Sequence, residues 1–125
     1  MVKYVCYIGM GSNVPEAAAI LEAARQGLAA LCDDEVRFSS PVATEPIDFP
    51  WPARFINQVA RLTTAMKPKA LKASLKRLER EAGRQRGDKQ RGVVRLDLDL
   101  LAVDGEILRP ADWQRSYIQQ GVAEL

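Results

Sequence analysis

Hydrophobic and polar positions alternate or recur at helical spacing in a way that divides the chain into strands and helices. Residues 3–10 (KYVCYIGM) are rich in β-branched and aromatic side chains and stop at Gly11-Ser12-Asn13, which predicts a strand closed by a turn. Ile20, Leu21, Ala24, Leu28 and Leu31 then recur at helical spacing and predict a helix over 15–31. Asn13 and Pro15 fit its start, because an Asn side chain can cap free N–H groups and proline tolerates the first turn. Residues 36–40 predict a second strand. Residues 41–54 (PVATEPIDFPWPAR) hold four of the seven prolines and predict an irregular loop. A third strand follows over 55–64. Pro68 opens a second helix with Leu71, Leu75, Leu78 and Ala82 on one stripe, stopped by Gly83. After a basic loop over 84–94, residues 96–103 predict a fourth strand. Asp104-Gly105 then turns tightly into Glu106-Ile107-Leu108, and residues 111–125 predict a short helix carrying Trp113 and Tyr117.

The order β-α-β-β-α-β predicts an α+β fold, a ferredoxin-like sandwich with an antiparallel sheet and helices on one face. With 125 residues and no repeat or linker, residues 1–125 are expected to form a single domain. Hydrophobic residues at 47% and charged residues at 27% exclude wholesale disorder. No apolar run approaches the roughly 20 residues of a membrane span, so no membrane partner is expected. Two cysteines, Cys6 and Cys32, fit free thiols in a reducing cytoplasm. Histidine is absent, which excludes Ser-His-Asp and Cys-His catalysis and imidazole bases together.

Charge then changes the picture. Residues 67–95 carry 11 Lys and Arg against 3 Asp and Glu, while the rest of the chain carries 7 against 13. Such a segment suits an anionic partner such as phosphate, although part of it can equally be the solvated face of a helix. Arg84, Arg86, Lys89, Arg91 and Arg95 crowd into twelve residues, and the planar arginine fork suits phosphate oxygens. Directly after them comes Leu96-Asp97-Leu98-Asp99. Strand alternation sends Asp97 and Asp99 to one side and the leucines to the core, with the two acidic Cα atoms roughly 6.6 Å apart. Carboxylates so spaced can converge on Mg²⁺, a hard ion usually held by one or two carboxylates plus substrate phosphates. An amphipathic edge strand with a wetted acidic face would show the same pattern. Gly9-Met10-Gly11 lacks the remainder of any phosphate-loop motif and reads only as a strand-to-helix turn. Phe55 and Asn57 share one side of the third strand, an aromatic face beside an amide suited to the edge of a heterocycle. A nucleic-acid-binding sheet would need stacking aromatics, but only 6% of residues are aromatic and the fourth strand presents two acids.

In their order and spacing, Gly11-Ser12-Asn13, Thr44-x-Pro46, Phe55-x-Asn57, Glu79, Gly83-Arg84-x-Arg86 and Leu96-Asp97-Leu98-Asp99 resemble the 6-hydroxymethyl-7,8-dihydropterin pyrophosphokinase family of folate biosynthesis. The resemblance runs from about residue 4 to 108 and implies a ferredoxin-like fold. It implies Mg-dependent transfer of pyrophosphate from ATP, the co-substrate, to 6-hydroxymethyl-7,8-dihydropterin or a related substrate. By similarity, Asp97 and Asp99 would hold two Mg²⁺ ions. Asn57 would hydrogen-bond the pterin, Phe55 would stack on it, and Thr44, Pro46 and Ile47 would complete the contacts to its edge. Arg84, Arg86 and Arg95 would be the catalytic arginines of a loop closing over the phosphates, and Glu79, Arg86 and Arg91 would touch the nucleotide. The partners implied are small molecules, with no nucleic acid, and nothing in the sequence fixes an oligomeric state.

The chain departs from the family in two places. Where the family reads W-G-P-R-T-[IL]-D-L-D, this chain reads Arg91-Gly92-Val93-Val94-Arg95-Leu96-Asp97-Leu98-Asp99, so Arg91 replaces the tryptophan and Val94 the loop arginine. After the fourth strand the family continues with a Pro-His segment, an arginine, an aromatic, and a further strand and helix. This chain is expected to lack them, a truncated C-terminal extension, with Trp113, Tyr117 or Trp51 available to replace the aromatic. The alternative function is accordingly a catalytically impaired pterin- or nucleotide-binding module.

Overall fold

The protein, seen in a computed structural model, is described over residues 2–45 and 54–125; Pro46, Ile47 and Trp51 lie outside the described residues. Among the described residues, six strands and four helices follow one another as β1 (Tyr4–Ser12), α1 (Ala17–Leu31), β2 (Val36–Phe38), β3 (Val42–Thr44), β4 (Phe55–Thr64), α2 (Pro68–Glu81), β5 (Asp97–Val103), β6 (Glu106–Ile107), α3 (Pro110–Trp113) and α4 (Ser116–Ala123). The strands make one antiparallel sheet in the order β2-β4-β1-β5-β6, with β3 also paired to β4. This is the expected α+β architecture with an antiparallel sheet, but β3 and β6 add two strands to the four expected, and the helices do not all lie on one face.

The centre of the sheet follows from alternation along β1. Cys6, Ile8 and Met10 point into one core with Leu21, Ala24 and Leu28 of α1, Leu71 and Leu75 of α2, and Leu98 and Leu100 of β5. Burying each of these larger side chains contributes roughly 1.5–3 kcal/mol. Gly83 stops α2 with φ 99°, a left-handed conformation that favours glycine. Asp104 (φ 49°) and Gly105 (φ 84°) form the tight turn into β6, as the Asp-Gly pair predicts. Cys6 and Cys32 are both free thiols.

Three local expectations are corrected. Part of the proline-rich segment is strand rather than loop, because Val42, Ala43 and Thr44 pair with Asn57, Ile56 and Phe55. Pro41 only flanks this short strand, and its two β-branched residues suit a sheet. Secondly, α1 begins at Ala17 and has no side-chain cap. Asn13 reaches across the chain instead, a point taken up below. Thirdly, the tail holds two helices rather than one. Residues 110–113 and 116–123 lie on the sheet face opposite α1 and α2, where Ile118 packs with Val59 and Leu101, and Trp113 stands edge-on to Tyr7 at 5.5 Å and 76°. A third layer therefore covers one end of the second face.

Candidate active site

The glycines of β1 shape the site. Gly9 and Gly11 lie inside the strand, on the face away from the main core, rather than in the turn expected for them. The register sets Gly11 between Asn57 of β4 and Asp97 of β5, and Gly9 between Val59 and Asp99. Three neighbouring strands therefore carry an amide on one side, an acid pair on the other, and a floor free of side chains between them. Opposed groups two strands apart stand about 10 Å from each other. A Cβ on Gly11 would come within 3.0 Å of Asn57 Oδ1, so glycine there also leaves Asn57 its place.

Over this floor lies a cavity of about 200 Å³, walled by Thr44, Phe55 and Asn57 on one side and by Asp97, Asp99, Arg109 and Tyr117 on the other. Asn57 Nδ2 donates to Thr44 Oγ1 at 2.5 Å. The amide is thereby oriented while its carbonyl oxygen keeps no partner among the described residues. A second cavity, of about 390 Å³, is lined by Arg84, Lys89, Arg95, Val93 and Val94 of the basic loop. Phe55 and Asp97 line both cavities.

Desolvation raises Asp97 above the ordinary carboxylate range, and its neighbours Asp99 and Glu79 also bear on it. Desolvation, then the charge of Asp97, pushes Asp99 up to about 7. Two carboxylates that resist joint ionisation make a site that gains from a cation. Among the described residues no group of three or more metal-type side chains exists. Two crowded carboxylates suit a hard dication that completes its shell with substrate oxygens or water, as Mg²⁺ does.

Elements packed behind the cavities hold these groups. Glu79 of α2 is only 4% exposed. Its Oε2 accepts the Leu98 N–H at 2.8 Å, and its Oε1 takes Arg84 Nη1 at 2.6 Å. It lines neither cavity, and both of its oxygens serve the frame, one holding the start of β5 and the other Arg84. The basic loop is closed on itself by buried Asp88, which accepts the Gln85 N–H at 2.9 Å and bonds Arg91 and, at 3.3 Å, Arg95. The Gln85 bond and the two guanidiniums hold Asp88 below the usual carboxylate range. Asn13 fastens the far end of the loop: its amide donates to Gly92 O at 2.9 Å and its Oδ1 accepts from Val94 N at 2.7 Å. Arg86 and Arg91 are exposed and line neither cavity.

The structure thus brings together Thr44, Phe55, Asn57, Asp97 and Asp99, with Arg84 and Arg95 alongside. It also brings in Arg109, Asp112 and Arg115, which sequence reasoning missed, beside Tyr117, one of the three aromatics named above as replacements; all four line the first cavity. Arg109 Nη1 stands 3.9 Å from Asp99 Oδ1. Their signal in the sequence was the pair of arginines six apart with an acid midway, just after a hairpin and opening at Pro110.

Fold and site define a class: an α+β sandwich whose sheet bears an acid pair between a cavity suited to a flat ring and a cavity suited to phosphates. The sequence matches the family described as 7,8-dihydro-6-hydroxymethylpterin-pyrophosphokinase over residues 7–125, and the chain belongs to that family. The match runs through the tail, beyond the limit of 108 expected above, so residues 109–125 are part of the family's domain. The chain is 27% identical to a 2-amino-4-hydroxy-6-hydroxymethyldihydropteridine pyrophosphokinase of Porphyromonas gingivalis, over 97% of this chain and 90% of that protein. It is 32% identical to the protein of the same name from Pseudomonas putida, over 82% and 84%. With that of Haemophilus influenzae it shares 33% identity, over 82% and 64%.

Proposed function

We propose that the protein transfers the pyrophosphoryl group of ATP to 6-hydroxymethyl-7,8-dihydropterin. The observation that carries this reading is the junction of a ring cavity and a basic cavity at Asp97. In this reaction the hydroxymethyl oxygen bonds to the β-phosphorus of ATP and the bridge to the α-phosphate breaks, so AMP leaves and the hydroxyl proton is released.

Each wall has a role in that step. Phe55 and Tyr117 offer aromatic faces to the pterin from β4 and α4, and Asn57 and Thr44 meet its polar edge. Arg84, Lys89 and Arg95 balance the triphosphate charge from the basic loop, and Arg109 and Arg115 add two guanidiniums on the other side of the acid pair. Arg86 and Arg91 would reach the nucleotide only through movement of the loop, and Glu79 acts through Arg84 and β5. Bound to Asp97 and Asp99, Mg²⁺ would neutralise phosphate charge and orient the reacting oxygens. A loop fastened by Asp88 and Asn13 would exclude water and so protect ATP from hydrolysis.

The alternative of a binding module without turnover keeps one ground, the basic loop, where Arg91 and Val94 stand in place of the family's tryptophan and arginine. Against its other ground, the shortened tail, stands the lining of the first cavity by Arg115 and Tyr117. The test is incubation with ATP, Mg²⁺ and the hydroxymethyl-dihydropterin. AMP and pterin diphosphate are expected in equal amounts, and Asp97→Asn should lower the rate at least about 100-fold. Absence of AMP at high protein concentration, with calorimetry still showing pterin or ATP binding, would establish the module instead.

A further inference from the structure

Asp112 lies three residues after Arg109 and three before Arg115, and each of its oxygens takes one of them. Arg109 Nε donates to Oδ2 at 2.7 Å and Arg115 Nε to Oδ1 at 3.1 Å. Burial alone would raise this carboxyl, yet the two guanidinium bonds hold it below the ordinary range. A guanidinium has five N–H donors, so a bond at Nε leaves the four on its Nη atoms for other partners. For Arg109 one such group already stands 3.9 Å from Asp99. No other carboxylate lies within ion-pair reach of Arg115 among the described residues. All three residues line the first cavity. As a source of stability the cluster counts for little: Arg109 is half exposed, and solvent screens ion pairs of that kind. Its effect on geometry is larger, because a free arginine samples many rotamers and a carboxylate gripping its Nε removes most of them.

We propose that Asp112 is a positioning residue that holds Arg109 and Arg115 by their Nε edges, so that both guanidiniums turn their Nη groups to a condensed phosphate beside Asp97 and Asp99. The role in catalysis rests on the pyrophosphate-transfer reading; the anion binding does not. The fork differs from the basic loop in being carried by the tail, and it lies on the pterin side of the acid pair. It therefore meets the group being transferred rather than the nucleotide end.

The probe is inorganic tripolyphosphate, titrated by calorimetry into the full chain in metal-free buffer. Asp112→Asn should weaken binding about tenfold, and Asp112→Glu, which keeps the charge, should recover most of the loss. On an Arg109→Met, Arg115→Met background the same Asp112→Asn change should cost less than about twofold, since a residue acting only through the two arginines has nothing left to position. In the transfer assay, Asp112→Asn should lower kcat while the KM for the pterin stays within about twofold. Tripolyphosphate binding unchanged by Asp112→Asn, or an equal loss on the double-methionine background, would overturn the proposal. If the wild-type chain forms no AMP but the titrations behave as stated, the transfer reading fails and the positioning role stands.

Discussion

At the scale of single residues the acid pair sets the chemistry on the proposed reading, and its consequence can be read in stability as well as in rate. Asp99, pushed up to about 7, binds its proton more tightly in the folded protein than in the unfolded chain, where a carboxylate titrates near 3.9. Between about pH 4 and 7 the folded state therefore holds more protons, and stability is lost as pH rises through that window. In metal-free buffer, Asp99→Asn should melt above the wild type at pH 8, with the difference closing toward pH 4. Added Mg²⁺ should narrow the pH 8 gap by stabilising the wild type alone. Melting curves at the three conditions check this; a wild type whose stability is flat from pH 5 to 8 would contradict the placement of the pair. The sequence already told most of this residue-scale picture. Alternation alone sends Asp97 and Asp99 to one face, and Leu98 and Leu100 are indeed buried behind them. What alternation could not tell was the role of Gly9 and Gly11. A missing side chain becomes a floor only when the register sets it between Asn57 and Asp97, and register is a property of pairs of strands.

At the scale of elements, the basic loop is held from two sides, and the sequence suggested neither hold. Asn13 follows a strand and precedes a helix, where capping is the commonest use of its amide. The partner it takes lies 79–81 residues away, at Gly92 and Val94. Local rules weigh only neighbours along the chain, so a clamp of this span leaves no mark in them. Asp88, a single acid amid cations, likewise reads as a solvated charge until the loop folds round it. The clamp makes a specific prediction. Asn13→Ala removes two side-chain bonds, a loss of about 1–2 kcal/mol. Because the bonds fasten the loop and not the core, the effect should appear locally: the Val94 amide should exchange with solvent roughly tenfold faster, while amides in β1 and β4 keep their protection. Hydrogen exchange resolved by residue measures both. Uniform loss of protection would instead mean that Asn13 supports the whole fold.

At the scale of the whole molecule, the outcome turns on the tail. Periodicity predicted one helix there and gave no hint of which face it would cover, since its apolar residues Trp113, Tyr117, Ile118 and Val122 are few. The third layer completes the site, because α3 and α4 bring Arg109, Asp112, Arg115 and Tyr117 to a cavity whose other walls are sheet. At the centre of its attachment Ile118 packs against Val59 and Leu101, with Gly121 directly over Val59. A Cβ on Gly121 would stand 2.5 Å from Val59 Cγ2 and 3.0 Å from Val59 Cβ. Val59 cannot withdraw, because its N–H donates to Ser39 Oγ and its carbonyl accepts from Ser39 N, each at 2.8 Å. Gly121→Ala therefore sets a helix gain of about 1 kcal/mol against an overpacking cost of about 1–3 kcal/mol, and the clash should win because α4 must lift. A lifted α4 carries Tyr117 with it, so the KM for the pterin should rise several-fold while kcat changes little. Val59→Ala opens the space that the new methyl needs. The double variant should then be more stable than the two single losses sum to, by about 1 kcal/mol or more in denaturant titrations of all four proteins. Strict additivity would mean that the third layer is not seated on Val59, and that the cavity wall formed by α4 is held by something other than this contact.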